Sequence, residues 1–132
     1  MTRLLLDTSV LVDDERSGGL LARIPEDADL AVATITLAEL GTGVELASAR
    51  HRPARAAYLE EIGALPLVHY DADVAAVHAR LLADCQRRGR PRGAHDLIIA
   101  ASAIATDRTV VTSDPGGFID VPDLQVLLVG GH

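Results

Sequence analysis

Five short apolar runs alternate along the chain with segments of helical periodicity, and this alternation restricts the fold more than any other feature. The runs cover residues 3–6, 30–33, 67–69, 109–111 and 126–129. Short strands that are apolar throughout are typical of parallel sheets, which are covered on both faces. The pattern therefore predicts an α/β fold with three layers: a mostly parallel sheet of about five strands with helices on both faces.

Helical periodicity fills most of the chain between these runs. Apolar residues at steps of three and four predict helices within residues 37–47, 53–65 and 74–85, the last ending before Gly89, and a short helix at 16–24. Residues 96–106 are apolar on nearly all sides, which predicts a helix that is buried on most of its surface.

The composition is that of a compact domain. With 132 residues, 48% of them hydrophobic, the chain can build one core but not two, so we expect a single domain over residues 1–132. No apolar run approaches the roughly 18 residues that a membrane span needs, and we expect no membrane association. The single cysteine, Cys85, allows no internal disulfide, so we expect a cytoplasmic location.

The charged residues exclude several classes of function. A net charge of −7 excludes a basic nucleic-acid-binding coat, although it is compatible with a local basic patch. All twelve cationic residues are arginines. Because the chain has no lysine, Schiff-base chemistry and a Walker-type phosphate-binding loop are excluded as well.

Four carboxylates are predicted to lie at one end of the sheet. Asp7 ends the first strand, Glu39 lies in the first turn of the helix after the second, Asp96 begins the buried helix, and Asp114 follows the fourth strand. Ligands of such sheets bind outside the carboxyl ends of the strands. Hard divalent cations prefer oxygen ligands, so this placement predicts a site for Mg²⁺ or Mn²⁺.

Each carboxylate also has a structural interpretation. Asp7, with Thr8 and Ser9, is equally compatible with a helix start, Glu39 completes a capping box that begins at Thr36, and Asp114 precedes Pro115 as an N-cap would. Asp96 is harder to explain this way, because a carboxylate beside so apolar a segment needs a partner. The four together favour a functional site.

The only dense basic segment lies between two predicted helices. It contains Arg87, Arg88, Arg90 and Arg92. These arginines are equally compatible with a phosphate contact site and with a solvated helix end, where cations interact favourably with the helix dipole. His95, next to Asp96, is interpreted as a loop histidine, although it could also support the site.

The chain resembles a known family in four motifs that occur in order. They are LLDTSVL at residues 5–11, AELGTG at 38–43, HDLIIAA at 95–101, and VVTSD at 110–114 followed by Phe118. Together they resemble the PIN-domain family, and within it the VapC branch of toxins. The segment 115–117, which is often charged in relatives, is Pro-Gly-Gly here.

The resemblance implies a Mg²⁺- or Mn²⁺-dependent endoribonuclease that acts as the toxin of a type II toxin–antitoxin system. It implies catalytic and metal-binding roles for Asp7, Glu39, Asp96 and Asp114, with Thr112 and Ser9 as polar residues beside them. We expect Asp7 and Asp96 to bind metal directly, and Glu39 and Asp114 to act through water. A receiver-type signalling domain is disfavoured because it needs a lysine; a non-catalytic PIN-like module that binds RNA or a partner is the remaining alternative.

The resemblance also implies partners. We expect an RNA substrate, a homodimer, and a cognate VapB-like antitoxin that inserts an arginine into the acidic cleft. An amphipathic helix of the antitoxin is expected to bind between segments 16–24 and 53–65. The residues predicted to line that groove are Leu20, Leu21, Ile24, Tyr58, Leu59 and Ile62. The same residues are also compatible with the core or with a homodimer contact.

Overall fold

A computed structural model, which describes residues 2–130, shows a single parallel sheet of five strands. The strands are β1 (Arg3–Leu6), β2 (Asp29–Ala33), β3 (Leu67–Val68), β4 (Thr109–Thr112) and β5 (Val126–Leu128). Their spatial order is β3-β2-β1-β4-β5, and every neighbouring pair is parallel. The predicted parallel α/β sheet is confirmed.

Five α-helices connect or flank these strands. They are α1 (Thr8–Ser17), α2 (Thr34–Leu46), α3 (Arg52–Gly63), α4 (Ala72–Arg88) and α5 (Ala94–Ala105). Gly89 caps α4 in the left-handed conformation at φ 61°, as its position in the sequence predicts. Six residues of α5 are buried, which confirms that this helix is covered on most sides. No helix within residues 2–130 is long and apolar enough to cross a membrane.

Successive residues of the strands point into two separate cores, one on each face of the sheet. Leu5 of β1 packs in one core with α4 and α5, whereas its neighbours Leu4 and Leu6 pack in the other with α1 and α3. In β4 the same alternation places Val110 in the first core and Val111 in the second. The sheet is therefore the middle layer of three.

The order of the strands places a crevice between β1 and β4. From β1 the chain proceeds to β2 and β3 on one side, and it then returns to β4 and β5 on the other. In open parallel sheets this reversal leaves a crevice at the carboxyl ends of the two central strands, where ligands bind. Asp7 directly follows β1, and Ser113 and Asp114 directly follow β4.

The prediction of a short helix at residues 16–24 is wrong. Helix α1 begins at Thr8 and ends at Ser17, because Gly18 and Gly19 take positive φ values of 72° and 80° and turn the chain away. Only a 3-10 turn, Leu21–Arg23, follows. Apolar residues on either side of the glycines reach the same core without forming one helix.

The capping box predicted at Thr36 is also wrong. Helix α2 begins at Thr34, so Thr36 lies within its first turn and is completely buried. Glu39 consequently lies in the second turn, where its side chain does not cap the helix. Its carboxylate is free to take part in the site described below.

The end of the sheet opposite the crevice is braced by an arginine. Arg108 donates from Nη1 to the backbone oxygens of Leu4 and Asp29, and its guanidinium also contacts Asp29 Oδ1 at 3.2 Å. Arg3 forms a second ion pair with Asp29 at 2.9 Å. These contacts tie β1, β2 and the residue preceding β4 together.

Candidate active site

Asp7 is the most buried carboxylate of the site, with 5% of its surface exposed. It lies at the N-cap position of α1, but its side chain makes no capping hydrogen bond. Instead Ser9 Oγ and Thr112 Oγ1 each lie 2.8 Å from Asp7 Oδ2 and donate to it. Burial raises the pKa of Asp7, and these two hydroxyl donors partly offset that rise. The hydroxyls thus favour a charged Asp7.

Glu39 is held in place by contacts at both of its carboxylate oxygens. Thr8 Oγ1 donates to Glu39 Oε1 at 2.7 Å, and His95 Nδ1 lies 3.2 Å from Oε2. Thr8 begins α1 and His95 lies in the first turn of α5, so Glu39 links three helices across the crevice. These two contacts fix the orientation of a side chain that would otherwise rotate freely.

Asp96 is enclosed by the backbone of two glycines. A Cβ atom built on Gly117 would lie 2.2 Å from Asp96 Oδ2, and one built on Gly93 would lie 3.1 Å from the same oxygen. Any side chain at Gly117 would therefore displace the carboxylate. The absence of side chains on both sides leaves the Asp96 carboxylate in contact with main chain, in the first turn of α5.

Asp114 caps the 3-10 turn Pro115–Gly117, and its Oδ1 accepts from the Gly116 N–H at 3.3 Å. The N-cap interpretation of its sequence is therefore correct. Its backbone N–H also donates to Thr112 Oγ1 at 3.0 Å. The same threonine hydroxyl thus contacts Asp7 and the backbone of Asp114.

The four carboxylates affect one another. Burial is the largest cause of the raised pKa of Asp96, and the negative charges of Asp7, Glu39 and Asp114 raise that pKa further, while His95 lowers it. Glu39 likewise raises the pKa of Asp7. The structure therefore brings all four predicted residues together at the β1–β4 crevice, although their catalytic roles stay a prediction.

The donor set is suited to a hard divalent cation. Carboxylate oxygens and hydroxyls are the groups that Mg²⁺ and Mn²⁺ prefer, and a dication would relieve the repulsion that raises the pKa of Asp96. Within residues 2–130, however, no three His, Cys, Asp or Glu side chains are grouped tightly enough to hold a metal ion. The site therefore fits a metal ion that one or two carboxylates bind directly, with water as its other ligands.

Three of the four arginines of the basic segment form ion pairs or hydrogen bonds within the domain, which the sequence did not predict. Arg88 pairs with Asp84 at 3.0 Å, Arg90 pairs with Asp120 at 3.5 Å, and Arg92 donates to backbone oxygens of the 117–119 loop. Arg87 and Arg88 lie in the last turn of α4, where cations interact favourably with the helix dipole. RNA binding by Arg87, Arg88, Arg90 and Arg92 stays a prediction.

A cleft of about 430 Å³ lies between α1, α2 and α3 and reaches the site at Glu39. Arg16, Leu40 and Tyr58 are among the residues that line it. The predicted lining of the groove was mostly wrong, because Leu20, Ile24 and Ile62 are buried in the core and Leu21 packs against it. Of the six residues predicted, only Tyr58 lines this cleft, and its hydroxyl donates to Asp14 Oδ2 at 3.0 Å.

Two further residues contribute to the site. The sequence assigns Thr8 to a helix start, and His95 to a loop with support of the site as the alternative; both contact Glu39. The adjacency of each residue to a predicted carboxylate, Asp7 or Asp96, was the only available signal. Their partner on α2 lies far away in the chain and cannot be identified from local patterns.

The sequence model of the PIN domain family matches residues 4–124, which is nearly the whole chain. The chain belongs to the PIN-domain family. Among curated relatives of this PIN domain, Ribonuclease VapC5 of Mycobacterium tuberculosis is 38% identical over 113 residues, covering 83% of this chain and 82% of that protein. Ribonuclease VapC of Rickettsia bellii is 28% identical over 129 residues, covering 96% of each chain.

Solved structures of related proteins share this fold. VapBC-5 from Mycobacterium tuberculosis, a member of the VapBC family of toxin–antitoxin systems, has a TM-score of 0.81 at 30% identity, covering 98% of this PIN domain and 100% of that chain. VapBC2 from Rickettsia felis, bound to a DNA fragment from its promoter, has a TM-score of 0.87 at 23% identity, covering 98% and 100%. The three-layer PIN-like architecture predicted from the sequence is confirmed.

Proposed function

We propose that this PIN domain is a metal-dependent endoribonuclease and the toxin of a type II toxin–antitoxin pair. The observation that carries the proposal is the convergence of Asp7, Glu39, Asp96 and Asp114 at the β1–β4 crevice, where their charges interact. Such a cluster in a parallel sheet is costly unless a cation compensates for it. The names of the ribonuclease relatives and the toxin–antitoxin neighbours support the choice of reaction and of biological setting.

Within the site, the four carboxylates have different surroundings and therefore different roles. Asp7 and Asp96 would hold Mg²⁺ or Mn²⁺ directly, because two hydroxyl donors orient the Asp7 carboxylate and favour its charged form, and because only glycines approach Asp96 Oδ2 from positions 93 and 117. When bound, such an ion lowers the pKa of water and neutralises charge on the phosphate. Glu39, oriented by Thr8 and His95, would orient the attacking water and accept its proton.

Asp114 would bind the ion through water. It lies on the exposed turn Pro115–Gly117, with one oxygen already engaged by the Gly116 N–H. Thr112 and Ser9 would not contact the substrate, since both hydroxyls are directed at Asp7 Oδ2. They would keep Asp7 ionised and fixed, which is the usual task of the groups that surround a metal ligand.

Cleavage of single-stranded RNA by the purified chain tests the proposal that this PIN domain is an endoribonuclease. We expect cleavage with Mg²⁺ or Mn²⁺, none with EDTA, and none for Asp96→Asn with either metal. Asp73→Asn is the matched control, because Asp73 also lies in the first turn of a helix, but is exposed on α4, which follows the edge strand β3. RNA that binds without being cleaved at any metal concentration would favour the non-catalytic module instead.

The antitoxin would bind in the cleft between α1, α2 and α3. That cleft contains both apolar surface, such as Leu40, and charged groups, and it leads to Glu39 at the edge of the site. A partner helix in the cleft could deliver an arginine to the carboxylates, which bind guanidinium groups bidentately. The homodimer that the sequence predicts would be a separate interface.

The cleft assignment is tested by co-expression with the small open reading frame expected next to this gene. We expect its product to co-purify with the chain and to suppress RNA cleavage. Ala54→Arg, which places a bulky side chain in the cleft, should abolish both effects. Ala79→Arg on the exposed surface of α4 should abolish neither. Equal co-purification of the two variants would place the antitoxin elsewhere.

A further inference from the structure

We propose that Arg92 is a positioning residue of the active site, which clamps the loop 115–120 against the carboxylate of Asp96. The inference rests on the proposed nuclease function and goes beyond it, since it gives one of the four arginines a task other than binding RNA. It is built on the contacts of Arg92, the burial of Phe118 and the close approach of Gly117 to Asp96.

The guanidinium of Arg92 bridges two carbonyls of the loop. Its Nη1 lies 3.4 Å from the carbonyl oxygen of Gly117, and its Nη2 donates to the carbonyl oxygen of Ile119. These two carbonyls flank Phe118, whose side chain is 3% exposed and packs into the core beside α4 and α5. The loop is thus held from inside by Phe118 and from outside by Arg92.

The same loop forms one wall around the Asp96 carboxylate. Gly117 approaches so closely that an added Cβ would lie 2.2 Å from Asp96 Oδ2. A second wall is Gly93, the neighbour of Arg92, where an added Cβ would lie 3.1 Å from the same oxygen. Arg92 therefore connects the two walls between which Asp96 lies, and the width of that gap depends on its side chain.

The guanidinium of Arg92 contacts the loop and not Asp96 itself. Within residues 2–130, Arg92 forms no hydrogen bond or ion pair with the Asp96 carboxylate. Both of its terminal nitrogens face backbone carbonyls instead. A planar guanidinium suits this task, because it donates to two acceptors at once in a fixed geometry.

Arg90 provides a matched comparison two residues away. It has the same charge, but it is exposed and makes only a 3.5 Å ion pair with the exposed side chain of Asp120. Both arginines line a cavity of about 350 Å³ together with Gly93, Gly116 and Gly117. If the two arginines only bound RNA phosphate in that cavity, substitution of either would raise KM and leave kcat intact; the clamp predicts instead that substitution of Arg92 lowers kcat.

The test compares Arg92→Gln, Arg92→Lys and the control Arg80→Gln in steady-state RNA cleavage, with a thermal melt of each. We expect Arg92→Gln to lower kcat by about tenfold to a hundredfold, as loss of a group that supports a metal ligand commonly does. KM and the salt dependence of RNA binding should not change. Arg92→Lys should recover part of kcat, because lysine can donate to one of the two carbonyls. Arg80→Gln, at an exposed position of α4 outside the basic segment, should leave kcat unchanged.

Binding of Mn²⁺ without RNA, followed by electron paramagnetic resonance, is the second readout. We expect Arg92→Gln to weaken Mn²⁺ binding by about tenfold or more, with the lysine variant between it and the original protein. If Arg92→Gln does not fold, the Arg92→Lys result decides. An unchanged kcat and an unchanged Mn²⁺ affinity would overturn the proposal.

A rise in KM with kcat intact would overturn it too. If the log–log salt slope of RNA binding also became shallower by about 0.7, Arg92 would be a phosphate contact. Failure of the proposed nuclease function can be distinguished from failure of the clamp. If the nuclease function is wrong, the unaltered chain does not cleave RNA with any metal, but the Mn²⁺ titration still reports whether Arg92 shapes the site.

Discussion

The hydroxyl of Thr112 lies 2.8 Å from Asp7 Oδ2, and this contact joins the carboxyl ends of β4 and β1 across the crevice. Thr112 is completely buried, and its Oγ1 also accepts from the backbone N–H of Asp114. One hydroxyl therefore fixes the most buried carboxylate of the site and the start of the loop that carries another.

Replacement of this hydroxyl should shift the pH dependence of cleavage. Thr112→Val keeps the shape of the side chain but removes a donor that lowers the pKa of Asp7, so that pKa should rise further. If Asp7 acts as a carboxylate, the acidic limb of the pH–rate profile should move to higher pH. The loss of the contact should also destabilise the fold by about 1–3 kcal/mol, the usual cost when a buried polar group loses its partner.

Thr109→Val is the control for that experiment, because Thr109 begins the same strand at its other end. It should leave the acidic limb where it is. The account of Asp7 would be contradicted if Thr112→Val and the control gave the same pH profile.

The crowding of charge around Asp96 should be visible in the stability of the metal-free protein. The pKa of Asp96 is raised in the fold above its ordinary value of 3.8, so the folded state binds more protons than the unfolded state just above that pH. This contribution to stability is therefore lost as the pH rises from about 3.8 through the folded pKa. Asp96→Asn removes the charge that is unfavourable at neutral pH. The melting temperature of this variant at pH 7 should therefore equal or exceed that of the original chain.

The measurement is a series of thermal melts in EDTA between pH 4 and pH 8. The advantage of Asp96→Asn should shrink toward the acidic end. Asp73→Asn should instead lose a little stability, since Asp73 interacts favourably with the N-terminus of α4. A lower melting temperature for Asp96→Asn than for the original chain at pH 7 would contradict this account. It would show that favourable contacts of the Asp96 carboxylate outweigh the repulsion.

Gly117 should tolerate no side chain. Gly117→Ala would place a methyl group 2.2 Å from Asp96 Oδ2, so either the carboxylate or the loop must move. We expect cleavage to fall by at least about tenfold, because misplacement of a metal ligand by an ångström is costly. Gly116→Ala is the control; its Cβ would lie 3.4 Å from Asp114 Oδ1, an ordinary contact. Comparable activity of the two variants would contradict the described packing.

Arg108 should affect stability but not catalysis. Its guanidinium satisfies the carbonyls of Leu4 and Asp29 at the end of the sheet away from the crevice. Arg108→Ala should lower the free energy of unfolding by about 1–3 kcal/mol, through acceptors left without a donor. The kcat per folded molecule should be unchanged, and Arg80→Ala, at an exposed position of α4, should alter neither quantity. Denaturant unfolding combined with RNA cleavage measures both.

The fold could be predicted well where the sequence pattern reports burial directly. Strands β1 and β4 are apolar because both faces of the sheet are covered, and α5 is apolar all round because it is buried. The prediction failed at residues 16–24, where apolar residues at helical spacing lie beyond a Gly18-Gly19 break. Leu20 and Ile24 are buried whether or not they belong to a helix, so spacing alone could not distinguish the two.

The site could be predicted only in part. The position of Asp7 after β1 and Asp114 after β4 follows from the rule that parallel strands end at the same edge. The contacts of Glu39 with Thr8 and His95 could not be predicted, because each depends on how helices pack across the crevice. Local patterns indicated a capping box instead, and a helix that begins three residues earlier removes it.

The central claim is that the carboxylates of the β1–β4 crevice cleave RNA. Mapping of new RNA 5′ ends in cells after induced expression tests it most directly, with the original chain, Asp96→Asn and Asp73→Asn compared at equal protein levels. The account predicts discrete new ends for the original chain and for Asp73→Asn, and none for Asp96→Asn. New ends of the same position and abundance with Asp96→Asn, or none with any of the three, would contradict it.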